Sequence, residues 1–115
     1  MADFKRLDVY RLALRFVQLA FAALARLPSG NAELAQQLRK AALSIPLNIA
    51  EGSGRPEGPD RNRFRAFARG SAMECAAIWD VLRAMGALED EVFCEGEDAI
   101  TRVIEMLSKM VPRGG

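Results

Sequence analysis

The chain has 115 residues, of which 27% are charged, and its 16 basic and 15 acidic side chains leave a net charge of +1. This length predicts one domain over residues 1–115, large enough to bury a core without disulfides or metals. The sequence has no histidine, which excludes the Ser/His and Cys/His nucleophile arrangements, the usual zinc ligand sets, and the Glu-x-x-His pairs that hold di-iron in helical bundles.

The cysteines and the uncharged runs indicate in which cellular compartment the protein resides. Cys75 and Cys94 show neither metal-ligand spacing nor a disulfide framework, which favours a reducing cytoplasm. The longest uncharged runs, residues 16–25 and 41–50, have ten residues each, against the ~18 that a membrane span requires. Charged residues also interrupt any N-terminal signal-peptide core. We therefore expect an unprocessed cytoplasmic protein without a membrane segment.

A first helix is predicted over residues 8–27, and it has two apolar faces side by side. One face consists of Tyr10, Leu14, Val17, Phe21 and Leu24, and the other of Val9, Leu12, Phe16, Leu19 and Ala23. One helix with two apolar faces needs two partners. We therefore expect the second face, together with the aromatic Trp79, to form an oligomer interface.

A second helix is predicted over residues 32–52 and contains a proline. Pro46 removes a backbone donor and crowds the preceding turn, at a cost of roughly 3 kcal/mol in a helix interior. Apolar residues nevertheless continue at helical spacing on both sides of it. The pattern predicts a helix that is kinked at Pro46 and ended by Gly52 in the left-handed C′ position.

The third and fourth helices are predicted over residues 59–86 and 90–111. Pro59 suits the first position of a helix, and Gly86 suits its end. The apolar seam expected to face the core consists of Phe64, Phe67, Ser71, Cys75, Ile78, Leu82 and Met85. Because no strand-like alternation occurs and the connections are short, the prediction is an all-α, antiparallel up-down-up-down four-helix bundle.

Composition also predicts self-association. Hydrophobic residues make up 50% of the chain before its nine glycines are counted, above the ~45–50% typical of soluble domains with glycine included. Residues 1–69 carry 12 basic and 6 acidic side chains, a net +6, whereas residues 70–115 carry 4 and 9, a net −5. Such halves indicate either a basic functional surface or complementary faces that pair in an assembly.

Six basic residues form a candidate nucleic-acid site. They are Arg39, Lys40, Arg55, Arg61, Arg65 and Arg69. The last three stand at four-residue spacing, so they form a row that can follow a phosphate backbone and release a counterion at each contact. The alternative is a solvated face, or salt bridges to acids of a neighbouring subunit. The sequence favours this alternative, because assigning Phe64 and Phe67 to the core leaves no aromatic for base stacking.

A polar cluster surrounds the proline of the second helix. Its members are Ser44, Pro46, Asn48, Glu51 and Gly52. It is either a functional pocket around the carbonyl that Pro46 leaves unpaired, or a structural feature in which Ser44 or Asn48 satisfies that carbonyl. The sequence favours the structural explanation, in which Glu51 forms an ion pair with Arg65 or Arg69 of the neighbouring helix.

Little in the sequence points to catalysis. Carboxylates alone can hold magnesium, but Glu74 and Asp80 stand six residues apart, a poor fit to one helix face. No glycine-rich phosphate loop follows a strand. We expect no enzyme activity, no metal and no cofactor, and we keep a carboxylate-dependent hydrolase only as an outlying hypothesis.

Three stretches together resemble a known family. They are residues 7–13 (LDVYRLA), 37–55 (QLRKAALSIPLNIAEGSGR) and 63–74 (RFRAFARGSAME), of which the second is the most specific. The family consists of four-helix-bundle proteins encoded in intervening sequences of bacterial large-subunit rRNA genes. The resemblance implies a protomer that assembles into a ring-like homo-oligomer, a pentamer. A related branch, the accessory proteins of diversity-generating retroelements, is similar in fold and binds nucleic acid and a reverse transcriptase through a basic ring surface.

The sequence and the resemblance together predict a non-catalytic homo-oligomer that serves as a nucleic-acid or ribonucleoprotein accessory or scaffold. Its expected partners are its own copies and either RNA, DNA or a nucleic-acid-processing protein. The alternative is a protein–protein interaction scaffold that binds no nucleic acid.

Overall fold

A computed structural model describes residues 3–112, most of which lie in four α-helices. The helices are α1 (Asp8–Leu24), α2 (Ala32–Ser53), α3 (Pro59–Ala84) and α4 (Asp90–Met110), and a 3-10 turn, Asp3–Arg6, precedes them. No strand occurs within the described residues, so the all-α prediction is confirmed. Each helix begins and ends within three residues of the predicted position. None of the helices in this part of the chain is long and apolar enough to cross a membrane. The predicted domain bounds, residues 1 and 115, lie outside the described residues.

Local sequence explains where α3 begins and ends. Pro59 lies in the first turn with Asp60 beside it, where a missing N–H is tolerated and a negative charge faces the positive end of the helix dipole. At the other end Gly86 has a φ of 73°, and the Ala87 N–H donates to the carbonyl of Leu82 at 2.9 Å. This is a Schellman motif, and it ends α3 at the predicted glycine.

The helices surround one apolar core. Helix α1 contacts α2 and α4, and α3 contacts the same two helices. The largest fully buried side chains come from all four helices and include Trp79, Phe16, Leu38, Ile45, Leu82, Ile100 and Leu107. No polar or charged residue is buried between residues 3 and 112. Removal of these apolar side chains from water is therefore the main force that holds the helices together.

Trp79 lies at the centre of the contact between α3 and α4. Its side chain is fully buried, its ring packs edge-on against Phe16 with centroids 5.3 Å apart, and its Nε1 donates to the carbonyl of Phe93 at 3.1 Å. The prediction that Trp79 belongs to an oligomer interface is therefore wrong. A large ring whose single N–H finds a partner within the chain can be buried in the core without an unpaired donor.

Gly96 of α4 makes room for the tryptophan ring. A Cβ atom built at this position would overlap the indole of Trp79, so any other residue would push the two helices apart. A glycine inside a helix is less favourable than alanine by about 1 kcal/mol, which already suggests a packing reason. The sequence could raise that question, but only the structure identifies Trp79 as the neighbour.

The core-facing side of α1 is the second of its two predicted apolar faces. Val9 and Phe16 of that face are buried, whereas Leu14 and Phe21 of the first face are 40% and 37% exposed. The prediction that the second face forms an oligomer interface is therefore wrong. Both faces fit the helical period equally well, so periodicity does not decide which one turns towards the other helices.

The seam predicted for α3 is partly confirmed. Cys75, Ile78 and Leu82 are buried, but Phe67 and Met85 are 49% and 50% exposed. The buried row of α3 is Ala68, Ala72, Cys75, Ile78, Trp79 and Leu82, and Phe67 and Met85 fall beside it. These two residues therefore lie at the edge of the core-facing surface.

Gly52 serves the packing of α2 on α3. Helix α2 continues past it to Ser53, and the glycines with positive φ in the described chain are Gly30, Gly58 and Gly86. The predicted left-handed cap at Gly52 is therefore wrong. A Cβ atom built at Gly52 would lie 2.9 Å from the Cβ of Phe64, so this glycine permits a close approach of the two helices.

Candidate interaction surface

Charged residues cluster where the loop between α2 and α3 joins the helices. Three ion pairs are Arg55–Glu51 at 3.4 Å, Arg63–Asp60 at 2.8 Å and Arg65–Glu57 at 3.2 Å. Two of these acids also contact a second arginine: Asp60 pairs with Arg55 at 3.5 Å, and Glu57 pairs with Arg61 at 3.7 Å. Because carboxylates already compensate most of this positive charge, the loop end is a weak attractant for phosphate.

Arg61 holds the end of α2 in place. Its Nε donates to the carbonyl of Arg55 at 2.8 Å, and its Nη2 donates to the carbonyl of Ser53 at 3.0 Å. Carbonyls at the C-terminal end of a helix lack partners within the helix, so side-chain donors stabilise them. With a side chain only 24% exposed, Arg61 is part of the connection between the helices.

Arg65 is also turned inward, with a side chain 18% exposed. Its Nη1 contacts Glu57 at 3.2 Å and the side-chain oxygen of Asn62 at 3.0 Å. The predicted ion pair between Glu51 and Arg65 or Arg69 is therefore wrong. The chain that leaves α2 brings Arg55 back to Glu51, and the loop supplies Glu57 to Arg65.

Two phenylalanines give the loop end an aromatic side. The guanidinium of Arg63 lies 5.2 Å from the ring centroid of Phe64 and 5.8 Å from that of Phe67, and Arg55 lies 5.1 Å from Phe64. The two rings meet edge to face, 6.0 Å apart. Since Phe67 is half exposed, the expectation that no aromatic accompanies the arginines is wrong. A guanidinium group that lies over an aromatic ring is attracted electrostatically by the quadrupole of that ring.

Three of the six candidate basic residues differ from the rest. Arg39 and Lys40 are exposed on α2, and Arg69 is half-buried on α3. Within residues 3–112 no ion pair includes any of the three. The six residues therefore do not share one role, because Arg55, Arg61 and Arg65 are engaged by the loop.

Ser44 and Asn48 form a hydrogen-bonded chain that crosses to α3. Asn48 Nδ2 donates to the carbonyl of Ser44 at 2.8 Å and to its hydroxyl at 2.9 Å, and that hydroxyl lies 2.7 Å from the hydroxyl of Ser71. Because the Ser44 oxygen accepts from Asn48, its own proton is available to Ser71. The carbonyl that Pro46 leaves unpaired was predicted to accept from Ser44 or Asn48. Instead, the side chain of Asn48 bonds to Ser44, and the hydroxyl of Ser44 bonds to Ser71. The proline lies buried within an uninterrupted α2.

Besides the α1 face of Leu14 and Phe21, two helix faces expose large apolar side chains. The first, the α2 stripe, consists of Leu43 and Leu47, which are 42% and 65% exposed. The second, the α3 stripe, consists of Met73, Ala77, Val81 and Met85, all exposed at four-residue spacing. Single exposed apolar residues are common on any protein surface. Residues that recur along one helix face instead mark a face without a partner in the chain.

Reactive side chains are sparse in the described chain. Between residues 3 and 112 no group of three or more His, Cys, Asp or Glu residues is placed to hold a metal ion. Burial, and to a smaller degree Glu74, raises the pKa of the Cys75 thiol to about 12, so this thiol stays protonated near neutral pH. Cys94 is exposed.

Comparison with known families gives one match. A family model described as 23S rRNA-intervening sequence protein matches residues 5–109, which include all four helices. The match covers the three stretches on which the resemblance rests, so the recognition from sequence is confirmed. No curated protein matches the chain.

Proposed function

The chain belongs to the 23S rRNA-intervening sequence protein family, and on that premise we propose that it is a non-catalytic scaffold of the cytoplasm that assembles with copies of itself. One observation carries the proposal: the α2 stripe and the α3 stripe both expose apolar side chains along one face of a helix. Contact between the two stripes on neighbouring copies would remove both from water.

The α2 stripe is preceded by two basic residues and followed, one turn later, by Glu51. Leu47, at 65% exposure, is the most exposed of the large apolar residues, and Leu43 lies one turn before it. Arg39 and Lys40 lie one turn further back on the same helix. A long apolar side chain left in water forgoes roughly 1.5–3 kcal/mol of burial, so this face gains from a partner.

The α3 stripe is bordered by two acids, and Arg69 lies one turn before its first residue. Met73 and Val81 are 57% and 46% exposed, and Glu74 and Asp80 lie beside them on the exposed side of the helix. Opposite charges around an apolar contact fix its register and speed its formation more than they strengthen it. The two stripes therefore match in apolar character, and each has charges of both signs beside it that can pair across the contact.

Pairing of the α2 stripe of one copy with the α3 stripe of the next is heterologous. Such contacts close into rings when the rotation allows, and the ring-like pentamer implied by the resemblance is the assembly we propose. Within the protomer we propose antiparallel neighbours and a bend at Pro46. The pairs Ser44–Ser71 and Gln37–Glu74 support the antiparallel arrangement, since residue numbers fall along α2 as they rise along α3.

Light scattering coupled to size exclusion tests the assembly through the molar mass in solution. The unmodified protein should elute at a multiple of 12.6 kDa. Leu47→Glu should shift it towards the protomer mass, because the variant would place a charge inside an apolar contact. Ser108→Glu, which adds the same charge at an exposed position of α4, should leave the mass unchanged. A protomer mass for the unmodified protein would contradict the proposal.

Nucleic-acid binding is a second candidate function, and the stacked pair of Arg63 and Phe67 favours it. A half-exposed ring beside a guanidinium offers a surface on which an unstacked base can lie, and such stacking contributes about 1–3 kcal/mol per base. Arg39, Lys40 and Arg69 are the basic residues available for phosphate contacts. This candidate does not require Arg61 or Arg65, which the loop engages.

Binding of a fluorescent single-stranded oligonucleotide across a salt series tests this second function. Affinity should fall steeply with salt, and Arg39→Glu, Lys40→Glu and Arg69→Glu together should flatten that dependence. Phe67→Ala should weaken binding, whereas Met85→Ala, equally exposed at the other end of α3, should not. Binding that is absent at physiological salt would leave the self-associating scaffold as the function.

A further inference from the structure

A cavity of about 150 Å³ lies at one end of the helices. The 3-10 turn contributes Phe4, the end of α2 contributes Ser53, and the start of α3 contributes Arg61 and Arg65. The last two turns of α4 form the remaining wall through Leu107 and Met110. The cavity thus collects residues from elements that are far apart in sequence, which no pattern along the chain indicates.

Part of the cavity lining is apolar. Phe4, Ile49, Leu107 and Met110 are among its lining residues, and Ile49 and Leu107 also belong to the buried core. An apolar cavity of about this volume in another protein admits a benzene molecule. The space therefore suits a compact apolar body of roughly that size.

The polar part of the lining has an excess of donors. Arg61 and Arg65 both line it, and both contact the single carboxylate of Glu57 within the loop, at 3.7 and 3.2 Å. The hydrogen bonds of the described residues use only Nη1 of Arg65, which leaves its Nε and Nη2. Asp3 also lines the cavity, but between residues 3 and 112 no ion pair joins it to either arginine.

We propose that this cavity binds a small organic carboxylate about the size of benzoate. The apolar body lies against Leu107 and Met110, and the carboxylate accepts hydrogen bonds from Arg65, whose planar guanidinium suits two-point contact with a carboxylate. The proposal concerns a site within one protomer, so it stands or falls independently of self-association and of nucleic-acid binding.

The test uses benzoate and benzamide, which share a shape and differ in charge. Ligand-observed NMR on the intact protein should show benzoate bound at least about ten-fold more tightly than benzamide, because a hydrogen bond to a charged group is the stronger one. Arg65→Gln should remove that preference. Arg63→Gln, at a more exposed position of the same helix outside the cavity wall, should keep it.

Met110→Trp is a second test of the cavity, which remains informative if Arg65→Gln fails to fold. The larger ring fills the cavity and leaves every charge in place, so it should abolish binding of both probes while the helical circular dichroism persists. Equal binding of benzoate and benzamide, or unchanged benzoate binding by either Arg65→Gln or Met110→Trp, would overturn the proposal. Absence of binding by both probes to the unmodified protein would overturn it as well.

Discussion

Helix α3 packs on α4 through a buried tryptophan and on α2 through a pair of half-buried serine hydroxyls. In the first contact the ring of Trp79 occupies the space that Gly96 leaves, and the only polar requirement is the bond from Nε1 to Phe93. In the second, Ser44 and Ser71 meet at 2.7 Å and Asn48 completes the chain. The tryptophan contact therefore depends on shape, and the serine contact depends on hydrogen bonding.

Because of this difference, substitutions at the two contacts should reduce the stability of the protein by different amounts. Interiors are close-packed, so an added methyl group at the tryptophan contact displaces a ring and two helices. At the serine contact, removal of a hydroxyl leaves its partner in a half-buried place where water can substitute. The loss of stability should therefore be larger for a substitution at the tryptophan contact with α4 than for one at the serine contact with α2.

The largest effect is expected for Gly96→Ala. The new methyl group overlaps the indole of Trp79, and overpacking of this kind destabilises by about 1–3 kcal/mol even though alanine is the better helix former. Urea unfolding at fixed protein concentration measures the loss. Unchanged stability would show that the helices separate without cost at this contact.

Gly52→Ala should destabilise less, by about 1 kcal/mol. The clash is with one atom, the Cβ of Phe64 at 2.9 Å, and the gain in helix propensity offsets part of it. Gly70→Ala is the matched control, since a Cβ there meets nothing within 4 Å, and it should stabilise the protein by roughly 0.5–1 kcal/mol. The sign difference between the two variants can be read from their urea midpoints.

Ser71→Ala should cost about 0.5–1.5 kcal/mol, the net value of one hydrogen bond. Ser44→Ala should cost more, because it also removes an acceptor of Asn48. In a double-mutant cycle the two changes should not add, since both remove the same 2.7 Å contact. Full additivity would mean that the two hydroxyls do not interact in solution.

The smallest effect concerns Glu97, beside Gly96. Burial, and to a lesser degree Asp80 on α3, raises the pKa of its carboxyl above the ordinary 4.5, and between residues 3 and 112 its Oε2 has no hydrogen-bond partner. Because the folded state holds this proton more tightly than the unfolded state, the contribution of Glu97 to stability falls as pH rises from 4.5 through the raised pKa.

Glu97→Gln should therefore stabilise the protein slightly near neutral pH, by about 0.5 kcal/mol. The gain should shrink as pH falls to the ordinary pKa, where the glutamate is protonated in both states. Thermal unfolding of both proteins over that pH range measures the difference. A gain that is constant with pH would assign the effect to something other than the proton.

Particular residues show how far the sequence could be read. Pro59 and Gly86 predicted the ends of α3 correctly, because their backbone preferences are local and act in any fold. Gly52 was assigned the same kind of local role and has another, since the reason for a glycine there is the neighbouring Phe64. The basic row of α3 was visible in the spacing, but the carboxylate that engages Arg61 and Arg65, that of Glu57, comes from the loop.

The sequence by itself determined the four helices, the family and the absence of histidine chemistry, because periodicity, capping residues and composition are properties of the chain alone. Only the tertiary structure decided which face of α1 is buried, that Trp79 belongs to the core, and that Arg61 and Arg65 turn inward. The physical reason is that burial and ion pairing depend on what a neighbouring element presents. Two faces of equal apolar character are distinguished only by the helix that packs against one of them.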